Sequence, residues 1–117
     1  MGTVTSTAGV GAVTLDWTIA RAADFNGDGK ADILWRNSTS GAVAIWFVNG
    51  GTVTSTAGSG AVTLDWLIDE AGDYNGDGKA DILWRSTSGA VTIWFMNGGT
   101  VTSTAGLGTV PTVWQTQ

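Results

Sequence analysis

Cysteine and histidine are both absent from the 117-residue chain. Without cysteine there is no disulfide frame, no thiolate zinc site and no thiol nucleophile. Without histidine, Ser-His-Asp catalysis, histidine-based zinc sites and imidazole acid–base chemistry are excluded. Charge is scarce too. Asp, Glu, Lys and Arg make up 13% of the residues, with 10 acids against 5 bases and a net charge of −5, where about 25% charged residues is usual. A chain this acidic is a poor nucleic-acid binder, because that affinity starts from phosphate neutralisation. No apolar run approaches the ~20 residues that cross a bilayer, and no charged-then-apolar leader opens the sequence. Neither membrane insertion nor a signal peptide is expected.

What is present is repetition. Residues 3–51 read TVTSTAGVGAVTLDWTIARAADFNGDGKADILWRNSTSGAVAIWFVNGG, and residues 52–99 repeat them as TVTSTAGSGAVTLDWLIDEAGDYNGDGKADILWRSTSGAVTIWFMNGG. With Asn37 left unmatched, 40 of the 48 aligned positions are identical. A truncated third copy occupies 100–117, so the chain reads as one repeat domain spanning 1–117. Identity this close indicates a recent duplication or a designed sequence.

Each copy is all strand and turn. The run AVAIWFVNGGTVTST is an apolar strand, an Asn-Gly-Gly turn and a Val/Thr alternation, which predicts a hairpin. DILWR and GAVAIWF predict a second hairpin with a slightly longer loop, and the segments 17–23 and 66–72 supply a fourth strand. Glycine (18 residues) and β-branched content oppose helix, and no 3.6-residue period is present. Both faces of ILW and AVAIWFV are apolar, the mark of strands covered on both sides. A period of about 48 residues with four strands and two-sided burial predicts a propeller blade. A β-solenoid is the runner-up, but its coils are usually shorter. The expected fold class is all-β: two four-stranded blades plus an extra terminal strand, assembling into a β-propeller by oligomerisation.

One loop carries chemistry, and it occurs twice. Asp24-Phe25-Asn26-Gly27-Asp28-Gly29-Lys30-Ala31-Asp32 recurs as Asp73-Tyr74-Asn75-Gly76-Asp77-Gly78-Lys79-Ala80-Asp81. Oxygen-bearing side chains fall at positions 1, 3, 5 and 9, with glycine at 6. Ca²⁺ takes 6–8 oxygen ligands, and alternate residues of a tight loop can aim theirs inward. The main-chain carbonyl at position 7, Lys30 or Lys79, can add another. Position 12 holds Trp35 or Trp84 where an EF-hand needs glutamate, so this is not an EF-hand. Plain Asx-turn chemistry is the competing reading. Against it, six of the ten acids sit in these two loops, where they repel one another without a cation. The expectation is two Ca²⁺ per chain; magnesium fits less well because it demands a tighter octahedron and keeps its waters.

The stretches DFNGDGKADILWR and DYNGDGKADILWR resemble the FG-GAP/VCBS repeats, the calcium-loop blades also found in integrin α-subunit propellers. The resemblance covers both full repeats and is nearer the bacterial VCBS style, since literal F-G and G-A-P signatures are missing. It implies a four-stranded blade whose calcium loop joins the innermost strand to the second. It assigns Asp24, Asn26, Asp28 and Asp32, and Asp73, Asn75, Asp77 and Asp81, as side-chain ligands. It also implies extracellular or cell-surface use, with recognition of proteins or glycans.

Seven tryptophans invite a carbohydrate reading. Trp35, Trp46, Trp84 and Trp94 lie inside apolar strands, where packing between blades accounts for them better. Trp17, Trp66 and Trp114 begin strands and are the better ligand candidates. Arg36 and Arg85 could bond a sugar or partner, or bridge to a neighbouring blade. Ala20/Asp69, Arg21/Glu70 and Ala23/Gly72 form the one cluster where the copies differ in charge, either a functional rim or surface drift. Catalysis is not expected. On an alternating strand Asp69 and Glu70 point to opposite faces, and no histidine is present to activate a serine or threonine. The functional expectation is a calcium-binding propeller fragment that assembles with copies of itself, as a trimer or tetramer closing a six- or eight-bladed ring, into a scaffold for recognition. The alternative is a calcium-dependent lectin with pockets between blades. Three TVTST strands for two blades leave one copy expected to pair with another chain or fray.

Overall fold

A computed structural model describes residues 15–109. Eight strands follow one another: β1 (Trp17–Ala23), β2 (Asp32–Asn37), β3 (Ala42–Asn49), β4 (Thr52–Ala61), β5 (Trp66–Gly72), β6 (Asp81–Ser86), β7 (Ala90–Asn97) and β8 (Thr100–Thr109). They form two four-stranded antiparallel sheets, ordered β1-β2-β3-β4 and β5-β6-β7-β8. No helix occurs among the described residues. The Asn-Gly-Gly hairpins close as expected, with Asn49 opposite Thr52 and Asn97 opposite Thr100.

The sheets are cut out of phase with the sequence repeats. Each TVTST segment among the described residues is the last strand of the sheet before it, so residues 52–61 complete the first sheet and 100–109 the second. The last copy therefore has a blade. The surplus copy is the one at residues 3–7, which lies outside the described residues, as does its expected pairing.

The extra residue of the first copy also falls elsewhere than the alignment put it. Asn37 pairs with Trp17 as Ser86 pairs with Trp66, so Asn37 has a structural counterpart and the turn after it is the longer part. Both residues are buried. Asn37 Oδ1 accepts from the Thr39 and Ser40 amides, and Ser86 Oγ accepts from those of Ser88 and Ala90. Two different side chains cap turns of two different lengths.

The two sheets stack. Leu34, Val43, Ile45 and Phe47 of the first pack against Ile82, Trp84 and Met96 of the second, with Phe25 of the loop in the same core. Fully burying each such side chain stabilises by roughly 1.5–3 kcal/mol. Trp84 is 1% exposed and lies 5.0 Å, centroid to centroid, from Trp94; Trp35 and Trp46 make the matching pair at 5.1 Å. Trp84 and Trp94 pack at the junction of the sheets, as expected from their apolar runs, whereas Trp35 and Trp46 pack on each other on the first sheet's other face and stay half-buried.

Polar groups tie the stack at both margins. Near the linker, Arg36 donates to the carbonyls of Gly41 (2.7 Å), Thr63 (3.0 Å) and Trp66 (2.9 Å), while its guanidinium sits 4.8 Å from the centre of the Trp84 ring. At the outer strands, Ser59 Oγ donates to the Gly99 carbonyl at 2.8 Å. Gly99 is required there, because a Cβ on it would stand 2.3 Å from that of Ala57.

One sequence argument needs correction. The β1–β2 register slips between Ile19 and Arg21, and the β5–β6 register between Ile68 and Glu70. Asp69 occupies a bulge, and a bulge re-aims the side chains around it. Strict alternation of Asp69 and Glu70 therefore does not hold at that step.

Candidate metal centre

Each aspartate loop connects the first strand of its sheet to the second, Asp24–Asp32 between β1 and β2 and Asp73–Asp81 between β5 and β6. The loop folds around its own carboxylates. Asp73 Oδ1 accepts from the amides of Gly76 (2.7 Å) and Asp77 (3.1 Å), and Oδ2 accepts from Gly78 (2.8 Å). Asp77 Oδ1 accepts from Lys79 N at 2.9 Å. In the first loop Asp24 accepts from Gly27, Asp28 and Gly29, and Asp28 from Lys30, within 2.8–3.2 Å. Gly29 and Gly78 turn the chain at φ +84° and +85°, a conformation that side-chain-bearing residues rarely adopt.

The ninth position anchors the loop to the sheet. Asp32 is fully buried; its Oδ2 accepts from Phe25 N and its Oδ1 from Val48 N, both at 3.0 Å. Asp81 does the same with Tyr74 N (3.0 Å) and Met96 N (2.8 Å). A buried carboxylate holding two amides fixes where the loop closes. The lysines turn away from the acids: Lys30 Nζ donates to Asn49 Oδ1 at 2.6 Å and Lys79 Nζ to Asn97 Oδ1 at 2.7 Å. The lysine ammonium groups are thus engaged outside the loop.

Oxygens of Asp73, Asp77 and Asp81 lie within 4.8 Å of one another. Asp24, Asp28 and Asp32 share the hydrogen-bond scaffold without drawing together as tightly. The amide of Gly78 holds the Asp73 carboxyl below the ordinary aspartate range, helped by those of Gly76 and Asp77 and opposed by slight desolvation. For Asp24, desolvation pushes upward, but the amides of Gly29, Gly27 and Asp28 together bring the carboxyl below its usual value. Both stay ionised further into acid than a free aspartate. A trio of carboxylates on one loop whose lysine is committed elsewhere suits a hard cation, which takes oxygen ligands.

The FG-GAP-like repeat model matches residues 24–84 and 73–116, well over half of the chain. The chain belongs to the FG-GAP-like repeat family. No curated protein and no solved structure matches it. Membership fits the all-β blades and a propeller-like repeat domain.

In this FG-GAP chain the other residues singled out from sequence fare differently. Arg36 is committed to the junction between blades, held by main-chain carbonyls rather than by a salt bridge. Arg85 is half-buried in the corresponding strand position. Trp66 packs against the core, Trp17 is half-buried, and Trp114 lies outside the described residues. No pocket forms among the described residues. Sequence reasoning missed the Lys30–Asn49 and Lys79–Asn97 bonds, whose signal was the recurrence of both partners in both copies. It also missed a link between the loops, in which Ala80 N donates to the Asp24 carbonyl at 2.8 Å.

Proposed function

We propose that this FG-GAP chain is a calcium-stabilised propeller subunit that closes a ring with copies of itself and serves as a recognition scaffold. The observation that carries the calcium reading is the convergence of Asp73, Asp77 and Asp81 on one loop whose lysine points elsewhere. Asp24, Asn26, Asp28 and Asp32 with the Lys30 carbonyl would hold one ion; Asp73, Asn75, Asp77 and Asp81 with the Lys79 carbonyl would hold the second. The ion's part is structural. It cancels carboxylate repulsion and fixes the turn from the first strand of a blade into the second. Millimolar calcium outside cells matches the ~10⁻⁴–10⁻³ M affinities of extracellular modules, so we place the protein there. No reaction is assigned to it.

Titration calorimetry tests the calcium reading. Two Ca²⁺ should bind per chain, and Asp28→Ala and Asp77→Ala should each remove one. Absence of binding, with a melt unchanged by chelator, would refute it. The lectin reading needs sugar-sized space between blades, so it rests on the assembled ring; a blank glycan array with calcium-loaded, assembled protein would end it.

A further inference from the structure

Eight positions distinguish the two copies, and one of them reverses charge: Arg21 in β1 corresponds to Glu70 in β5. The structure places these two residues against each other. Arg21 Nε stands 3.4 Å from Glu70 Oε1, and the same guanidinium donates to the Asp69 carbonyl. Arg21 therefore meets its own repeat equivalent, in the opposite charge, across the junction of the two blades.

Each blade has two distinct faces. The first blade turns its Leu34/Ile45 face to the second, which answers with its Ile82/Trp84 face. Left over are the first blade's Ile33/Trp35 face and the second blade's Leu83/Ile93 face; Ile33, Trp35, Val91 and Phe95 are half-buried there, while Leu83 and Ile93 are buried. They repeat the two sides of the junction already made, nearly residue for residue. Tyr74 shows what that junction lacks: it is 42% exposed, whereas its equivalent Phe25 is fully buried under the second blade.

Resting on the ring reading above, we propose that the second blade's free face docks on the first blade of another copy, head to tail, and that Arg21 and Glu70 set this order. At such a junction Glu70 takes the place of Arg21, and the neighbouring copy's Arg21 takes the place of Glu70. The pair forms again with its signs exchanged. Charge then alternates around the inner strands, every Arg21 lying between two Glu70 side chains. Asp69 adds a second carboxylate to the same strand, and its buried Oδ2 has no hydrogen bond within the described residues. A two-fold dimer through either free face sets Arg21 against Arg21 or Glu70 against Glu70, a like-charge contact that disfavours it. The occupant of both free faces is thus a second copy of this chain in one orientation.

Sedimentation velocity across a concentration series, with calcium, tests this on wild type, Arg21→Glu, Glu70→Arg and the double variant. An exposed pair is weak alone, but like charges now repeat at every junction, so each single variant should need roughly tenfold or more concentration for half-assembly. The double variant restores alternation and should return to within about threefold of wild type. Raising salt to about 0.5 M should narrow the gap between single variants and wild type. Single variants that assemble like wild type, or a double variant no better than the singles, would overturn the alternation and leave the ring intact. Wild type that stays a single chain throughout would instead remove the ring, and the alternation with it.

Discussion

Trp84 and Trp35 occupy the same position of the same strand in nearly the same sequence, yet Trp84 is sealed and Trp35 is half-buried. Phe25 and Tyr74 differ in the same way on the opposite faces, Phe25 covered and Tyr74 exposed. For the two tryptophans the difference does not lie in the residue or in its strand pairing, which matches register for register. It lies in the neighbour. A blade buries most fully the face that another blade covers, as stacked repeats generally do, although Leu83 and Ile93 on the second sheet's uncovered face are also buried. Each half of this molecule shows what the other half would look like with one more neighbour.

The largest test of that comparison is at the tryptophans. Trp84→Ala removes an indole from the junction and should cost about 3–5 kcal/mol in urea unfolding. Trp35→Ala should cost clearly less in the dilute single chain and approach the Trp84 value once copies assemble. Equal costs in the dilute chain would break the comparison.

Arg36→Ala should follow, at about 2–3 kcal/mol, because it strands carbonyls of Gly41, Thr63 and Trp66 and removes the cation over Trp84. Arg36→Lys should recover part of this, since an ammonium reaches fewer of those acceptors in that fan. Thermal melts of both variants measure the difference.

Calcium sharpens the comparison between the loops. At about 10 mM, an ion bound with an affinity of ~10⁻⁴–10⁻³ M stabilises by roughly 1–3 kcal/mol per site. The second loop's carboxylates already converge, so its site should fill first. Asp77→Ala should then abolish the tighter calorimetric phase and Asp28→Ala the weaker. The smallest effect belongs to the exposed pair between inner strands. Glu70→Gln should lower the dilute chain's stability by about 0.2–1 kcal/mol, less at high salt.

Much of this was legible in the sequence because duplication wrote it twice. The strand runs, the Gly-Gly hairpins and the positions 1, 3, 5 and 9 of the loop recur with their spacing intact, and local rules suffice to read them. Three things were not legible, each for a physical reason. The phase of the blades depends on which sheet a TVTST strand joins, a non-local pairing that periodicity leaves open. The place of the extra residue near Asn37 depends on turn capping, which Asn and Ser achieve with different atoms. The bulge at Asp69 moves side chains that simple alternation would have fixed. Arg36 could have been ligand or bridge from its sequence position; the linker's carbonyls and the Trp84 face decide its role.

Native mass spectrometry in calcium tests the central claim most directly, because it counts chains and ions together. The account predicts an assembly of three or four chains, about 36 or 48 kDa from a 12.0 kDa chain, with two Ca²⁺ for each chain. A species of one chain at 12.0 kDa, carrying no calcium, would contradict it.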